Sequence, residues 1–315
     1  MREEKPLVKR PSNRQAPPTC AARGLLRRIG IVLEMIKFEH TLFALPFALI
    51  AMLLAARDYP QVGNRLPSLR TFVLIVVACY AARSAAMAFN RLADLDQDRE
   101  NPRTRDRALV TGRLMPRFVW AFTLLHIALF IAAAYALNWL ALTLSPVAVG
   151  ILLGYSYVKR CSLTTHFILG LALGIAPVGA WIAVRGTFDL SPMVLGLAVL
   201  LWTAGFDIIY ACQDYAFDVS KGIHSIPARF GIAGALVISA VLHVFTWLAM
   251  LVFAGVAHSG PLFIAGVVLV GGLLAYEHWI VKPHDLSRVN VSFFNVNGVV
   301  GILLLCCFLG DLLIR

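Results

Sequence analysis

Nine apolar runs, most of them about twenty residues long, recur along this chain of 315 residues. A helix of about 20 apolar residues crosses the core of a bilayer with its backbone hydrogen bonds made internally, whereas an open strand leaves polar groups unpaired there. Because 59% of the residues are hydrophobic and 14% are charged, the sequence predicts an all-α polytopic membrane protein with about nine transmembrane helices. The predicted spans cover roughly residues 36–56, 69–93, 117–136, 139–157, 165–185, 192–213, 233–256, 261–281 and 291–312.

Lys and Arg are unevenly distributed between the two sets of loops. They concentrate near the N terminus and in the loops after even-numbered spans, which predicts that the N terminus and those loops are cytoplasmic. Residues 1–28 have no signal-peptide core and are predicted to form a flexible basic cytoplasmic tail before one transmembrane domain, 29–315. The same bias explains the net charge of +11. No nucleic-acid-binding motif accompanies that charge, so no nucleic-acid partner is expected.

Two acidic segments lie at the ends of predicted spans 2 and 6. The first acidic segment covers residues 90–98 and the second covers 207–218; with Glu100 and Asp106 they hold eight of the 17 Asp and Glu residues. Carboxylates beside hydrocarbon must be matched by cations, so solvation explains the clustering poorly. On continuous helices, side chains three or four residues apart share a face. The two predicted stripes are Arg83, Met87, Asn90, Asp94 and Asp98, and Asp207, Tyr210, Asp214 and Asp218.

Facing carboxylates at a membrane surface favour Mg²⁺, which prefers oxygen ligands and bridges one or two carboxylates to a diphosphate. The six cysteines and eight histidines show no metal-ligand spacing, so zinc and haem are not expected. The alternative is that the carboxylates only cap helices and pair with arginines. Asp96 breaks the spacing and is expected to face solvent. The predicted Mg²⁺ ligands are Asn90, Asp94, Asp98, Asp214 and Asp218.

A basic loop, residues 101–113, follows the first acidic segment. A guanidinium matches phosphate oxygens through its planar fork, so Arg103 and Arg107 are predicted to bind a diphosphate. At the end of predicted span 4, Tyr155 and Lys159 are four residues apart and would present a hydroxyl and an ammonium to the leaving diphosphate. Anchoring at the membrane interface is the alternative role for both.

These motifs resemble those of the UbiA superfamily of intramembrane aromatic prenyltransferases, in the same order and over nearly the whole chain. The family pattern Asn-Asp-x-x-Asp-x-x-x-Asp is present with Arg91 in place of its first Asp. The pattern Arg-Thr-x-x-Arg-Pro-Leu is present with Ala108 in place of proline. Two patterns match fully, Tyr-x-x-x-Lys at Tyr155 and Lys159, and Asp-x-x-Tyr-x-x-x-Asp-x-x-x-Asp at Asp207, Tyr210, Asp214 and Asp218.

Residues 37–47 and 224–231 look like the branch that prenylates 4-hydroxybenzoate in quinone synthesis. The resemblance implies a bundle around a central cavity with a side opening to lipid, in the inner membrane of a bacterial cell. It also implies Mg²⁺ as cofactor and a polyprenyl diphosphate and an aromatic acid as substrates. The expected catalytic residues are Asp94, Asp214 and Asp207, which would orient or deprotonate the phenol; proton loss through water is the alternative. The expected substrate-binding residues are Arg83, for the acceptor's carboxylate, Asn90, Arg103, Arg107, Tyr155, Lys159 and Tyr210.

Two other functions fit parts of the pattern. Transfer to 1,4-dihydroxy-6-naphthoate in menaquinone synthesis needs a wider acceptor pocket but the same metal chemistry. A cation transporter would also place acidic residues on helices. It would show carboxylates near mid-membrane and broken helices, whereas these carboxylates lie at helix ends beside arginines suited to phosphate.

Overall fold

The computed structural model describes residues 30–36, 41–59, 66–158 and 160–314. The predicted tail, 1–28, and the predicted diphosphate ligand Lys159 lie outside them. Within the described residues, which are almost entirely helical, the only β pairing is an isolated bridge between Lys282 and Asp285. Residues 30–36 are helical. The further helices are α1 (Thr41–Asp58), α2 (Leu69–Ala93), α3 (Leu95–Glu100), α4 (Pro116–Leu137), α5 (Trp139–Val158), α6 (Thr165–Arg185), α7 (Leu190–Ala211), α8 (Tyr215–Lys221), α9 (Ile226–Val256), α10 (Pro261–Ile280) and α11 (Asn297–Ile314), with a 3-10 turn at Cys212–Asp214 and a π-helix at Val291–Val296.

The expected all-α membrane architecture is confirmed. Eight helical segments in the described part of the chain are long and apolar enough to cross a membrane, and α1, with 18 residues, is a further long apolar helix. The α9 helix begins before its predicted span because Ser225 caps it. Gly231 interrupts this helix with a φ of 72°, so the turn before Gly231 is distinct from the apolar span that follows.

The α1 helix is apolar on every side and is surrounded by other helices. It packs against α6 and α11, and to a lesser extent against α2 and α7. A helix without a polar face is stable only where all of its faces are covered. Phe43 and Phe47 of α1 contact Trp202 of α7, and Phe43 also contacts Phe293 of the π-helix.

The α6 and α7 helices approach each other closely through glycine. A Cβ on Gly170 would overlap the Leu200 carbonyl, and one on Gly174 would overlap the Gly196 carbonyl. Small residues let two helices pack backbone to backbone, which replaces the hydrophobic driving force that is missing inside a bilayer. This close approach places the N-terminal part of α6 beside the C-terminal part of α7.

Candidate active site

Each acidic segment contains a break in its helix, and an aspartate lies at each break. Asp94 joins α2 to α3 with φ −92° and ψ 1°, and Asp214 joins the 3-10 turn to α8 with φ −96° and ψ 4°. This part of φ/ψ space is sparsely populated and is common at active sites. Neither side chain caps the helix that follows it. The sequence argument assumed continuous helices, so both breaks are new information.

The first acidic segment is held by an amide and an arginine. Nδ2 of Asn90 donates to Oδ2 of Asp94 over 3.0 Å. Nη1 of Arg107, from the basic loop, lies 2.7 Å from both carboxylate oxygens of Asp98. Asp98 is buried, so this charge-assisted contact compensates a carboxylate that has lost most of its water.

Two charged residues of this segment have their hydrogen-bond partners outside both acidic segments. Arg91, which replaces an aspartate of the family motif, is buried and donates from Nε to the Met35 carbonyl over 3.3 Å. It therefore ties the helical residues 30–36 to α2. Asp96 faces solvent, as expected, with a side chain that is 92% exposed and pairs with Arg99.

In the second acidic segment, Asp214 accepts hydrogen bonds from three donors of the basic loop. Nε and Nη2 of Arg103 reach its two oxygens at 2.9 and 2.5 Å, and Nδ2 of Asn101 reaches Oδ1 at 3.0 Å. Nη1 of Arg103 also donates to the Tyr210 hydroxyl over 3.0 Å. The loop that follows the first segment therefore binds the second, which brings the two segments together.

Charge and burial reinforce this arrangement. Burial alone lowers the pKa of Arg103, but the hydrogen bonds and the charge of Asp214 outweigh burial and raise that pKa above its ordinary value. Oδ2 of Asp218, which is buried, accepts a hydrogen bond from the Ser225 hydroxyl over 2.7 Å. At the rim, Lys221 of α8 pairs with Glu100 of α3 over 2.5 Å.

The predicted magnesium ligands fit Mg²⁺ in their chemistry, since carboxylate and amide oxygens are the donors that it prefers. In the described residues, however, no three His, Cys, Asp or Glu side chains lie close enough together to hold a metal ion. Arg107 neutralises Asp98 and Arg103 neutralises Asp214. A metal ion at these carboxylates would share them with the arginines or displace the arginines.

Asp207 has a different partner. It lies on α7 before Asp214, and its Oδ2 is 2.7 Å from Nδ1 of His166, at the start of α6. One helical turn further along α7, the ring of Tyr210 packs on Phe293 of the π-helix, with centroids 4.3 Å apart. Asp207 therefore lies deeper in the helix bundle than the aspartates that contact the basic loop, and it has a different hydrogen-bond partner.

An apolar cavity of about 300 Å³ lies between α1, α2, α4, α5 and α6. It extends from Met87 to Ile75 along α2, a distance of about 18 Å at 1.5 Å per residue. Its wall is rich in alanine. Val147 of α5 and Phe188, both in the wall, are 60% and 56% exposed, so the cavity opens toward the lipid-facing surface. The resemblance implied a central cavity; this one is bounded by five of the long helices.

Two polar side chains of the cavity wall lie at the end nearest the acidic segments. Arg83 and Tyr155 both line it. Nε of Arg83 is buried and has no hydrogen-bond partner among the described residues. Arg83, Asp94 and Asp207 are all near enough to the Tyr155 hydroxyl to interact with it electrostatically. The apolar cavity thus meets the acidic segments at a guanidinium and a phenol.

Three residues of this site were missed by sequence reasoning. Asn101 follows the first acidic segment directly, and its amide is a signal that was available. Ser225 is a typical helix cap, but nothing in the sequence connects it to Asp218. His166 resembles the other scattered histidines until α6 packs on α7.

The fold and site are those of an integral membrane protein with an apolar cavity that ends at charged and polar side chains. Residues 44–299 match the UbiA prenyltransferase family. The chain is 32% identical to 4-hydroxybenzoate octaprenyltransferase of Alkalilimnicola ehrlichii over 79% of this chain and 83% of that protein. It is 31% identical to the enzyme of the same name from Xanthomonas euvesicatoria, over 75% and 78% of the two chains.

Solved structures agree. A UbiA homologue from Aeropyrum pernix is 35% identical and superposes with a TM-score of 0.78, over 87% of this chain and 98% of that one. A UbiA homologue from Archaeoglobus fulgidus, bound to DMAPP and Mg²⁺, is 20% identical and shares the fold with a TM-score of 0.70, over 90% and 99%. The chain belongs to the UbiA prenyltransferase family and is a membrane-embedded prenyltransferase.

Proposed function

We propose that this enzyme transfers a polyprenyl group from a polyprenyl diphosphate to the ring carbon ortho to the hydroxyl of 4-hydroxybenzoate, with Mg²⁺, in ubiquinone-type quinone synthesis. The observation that carries the proposal is the apolar cavity, which ends at Arg83 and Tyr155 beside two acidic segments and two arginines. The names of the curated relatives support the acid. Mg²⁺ is supported by the oxygen donors of the acidic segments.

On the donor side, the polyprenyl chain lies in the cavity with its diphosphate toward the basic loop. Asn90, Asp94, Asp98, Asp214 and Asp218 would hold Mg²⁺. When bound, Mg²⁺ supplies positive charge that stabilises the diphosphate as a leaving group. Arg103 and Arg107 exchange their carboxylate partners for phosphate oxygens, and Lys159 is assigned to the same group. These cations stabilise charge that grows as the C–O bond breaks.

On the acceptor side, Arg83 pairs with the carboxylate of the acid, which explains a costly guanidinium inside a span. Asp207 accepts the phenol proton. The ortho carbon then bonds to C1 of the prenyl group. The bond between C1 and the diphosphate oxygen breaks, and diphosphate leaves with the electron pair. The ring C–H proton passes to water or diphosphate, and Asp207 returns its proton to the phenol oxygen. One proton is released with each diphosphate.

The charge distribution supports a cytoplasmic site. Most loop arginines, including those of the basic loop, lie on the side that carries the two acidic segments, as the positive-inside rule requires of cytoplasmic loops. We therefore assign the active-site loops and the N terminus to the cytoplasm, with the protein in the bacterial inner membrane. Both proposed substrates are then accessible, the acid from the cytoplasm and the polyprenyl diphosphate from the bilayer.

The test is prenyl transfer by the purified protein in detergent with Mg²⁺ and a polyprenyl diphosphate. Product from 4-hydroxybenzoate is the expected result. If only 1,4-dihydroxy-6-naphthoate gives product, the acceptor is the naphthoate and the enzyme belongs to menaquinone synthesis. Product from neither acid, with diphosphate still bound, would overturn the proposal.

Arg83→Gln tests how the acceptor is recognised. It is expected to raise KM for 4-hydroxybenzoate about tenfold or more, since a charge-assisted contact contributes roughly 1.5–3 kcal/mol. KM for the polyprenyl diphosphate stays unchanged. The matched control is 4-methylphenol, which has no carboxylate and should react equally slowly with both proteins.

A further inference from the structure

His166 is a buried titratable side chain that the proposed chemistry leaves without a role. It is 3% exposed, and its Nδ1 contacts Oδ2 of Asp207 at 2.7 Å. An ionised carboxylate only accepts hydrogen bonds, so Nδ1 carries the proton. Nε2, on the other side of the ring, is buried and has no hydrogen-bond partner among the described residues.

Stability does not account for this ring. A buried polar atom without a partner is destabilising, and an aliphatic side chain would fill the same space without leaving Nε2 unpaired. What imidazole supplies at this position is one N–H directed at a carboxylate. Unsatisfied groups of this kind require an explanation, and a functional role is one of the common ones.

Asp207 lies on the acceptor side of the site. It precedes Asp214 by two helical turns, so it is about 10 Å deeper along α7. It is near enough to Tyr155, in the cavity wall, to interact electrostatically. The corresponding position, seven residues before Asp94, is Met87, which also lines the cavity. A carboxylate at this depth is therefore specific to the second segment.

We propose that His166 is a positioning residue for the acceptor. Its Nδ1–H holds Oδ2 of Asp207, which leaves Oδ1 directed at the phenol hydroxyl of the bound acid. The assignment deepens the proposed function and rests on it. The other charged and titratable groups of this region are Tyr155 and the three residues that, with Asp207, interact with it electrostatically: Arg83, Arg91 and Asp94.

Three substitutions separate positioning from packing. His166→Asn keeps an N–H close to the place of Nδ1, His166→Leu keeps bulk without a donor, and His166→Ala keeps neither. The Ala and Leu variants are expected to lower kcat with 4-hydroxybenzoate about 10- to 100-fold, as loss of a supporting hydrogen bond does at other sites. The Asn variant should recover most of kcat.

Donor-side measurements provide the second readout. KM for the polyprenyl diphosphate and the slow release of diphosphate without acceptor are expected to stay unchanged in all three variants. The matched control is His126→Ala on α4, where a buried histidine has its Nδ1 2.8 Å from the Phe122 carbonyl and, within the part of the chain that the structure describes, no carboxylate partner. That variant should retain the wild-type kcat.

Two results would overturn the assignment. If Leu restores kcat as well as Asn does, His166 acts through packing. If diphosphate release falls together with transfer, His166 acts on the donor side or on the fold. A wild-type protein that releases diphosphate but prenylates neither acid would refute the proposed function itself, and the role of His166 with it.

Discussion

The two acidic segments have the same backbone conformation at their helix breaks but differ in the side chains around them. Asp94 and Asp214 occupy equivalent helix breaks with nearly the same φ and ψ. Four residues later, Asp98 and Asp218 are both buried. This correspondence of conformation and burial is consistent with duplication of a helical half.

The side chains around the two segments are not equivalent. Arg107 holds Asp98 with a guanidinium, whereas Ser225 holds Asp218 with a hydroxyl. Asp207 has a histidine partner, and its counterpart Met87 has no charge. The comparison sharpens the proposed function: the feature common to both segments would serve the shared diphosphate, and the feature unique to one would serve the acceptor.

The largest effect is expected at the helix breaks. Asp94→Asn and Asp214→Asn should each lower kcat/KM for the polyprenyl diphosphate by at least about 100-fold, because the amide keeps the shape but not the charge. Asp96→Asn is the control, since that side chain is 92% exposed. A mild effect at one break and complete loss at the other would show that the segments are not equivalent.

Arg103→Lys should raise KM for the polyprenyl diphosphate about 10- to 100-fold, because an ammonium does not reproduce the bidentate fork. Arg107→Lys should have a smaller effect, since Arg107 contacts Asp98 through one nitrogen. Arg99→Lys, on an exposed pair, is the control. Equal effects at all three positions would mean that charge alone matters.

Tyr210→Phe should raise KM for the polyprenyl diphosphate about 3- to 10-fold, because it removes a hydrogen-bond partner of the Arg103 guanidinium. Tyr157→Phe is a close control, because an arginine lies 5.2 Å from the ring centroid of each tyrosine. If the two variants behave alike, the Tyr210 hydroxyl has no role in holding Arg103.

The smallest effect is expected at Ser225. Both Ser225→Ala and Ser68→Ala remove a helix cap and should lower the free energy of unfolding by about 1 kcal/mol, measured as Tm in detergent. Only Ser225→Ala should also weaken the apparent Mg²⁺ affinity, because its hydroxyl orients Asp218. If the Mg²⁺ affinity does not change, the hydrogen bond from Ser225 does not orient Asp218 for metal binding.

The sequence predicted the spans and the meeting of the acidic segments because hydropathy and charge are local properties. It did not predict the helix breaks. The two segments are still brought together, because the basic loop that follows the first segment binds Asp214 of the second. The roles that the spacing assigned to these aspartates stay predictions.

Tertiary contacts explain what sequence reasoning missed. His166 meets Asp207 because Gly170 and Gly174 let α6 approach α7, and no spacing rule reports that approach. Arg91 donates to Met35, which is distant in sequence. Arg103 and Arg107 were predicted to bind phosphate, and the structure pairs them with the carboxylates of Asp214 and Asp98.

The exposed residues of the cavity wall have a consequence for kinetics. A donor that enters past Val147 on α5 never passes through bulk water, so its effective concentration is the number of molecules per unit area of bilayer. The effective concentration of the proposed acid acceptor, in contrast, is its molarity in water. Dilution of the membrane with inert lipid would slow this enzyme at constant total donor, and extra acid would not restore the rate.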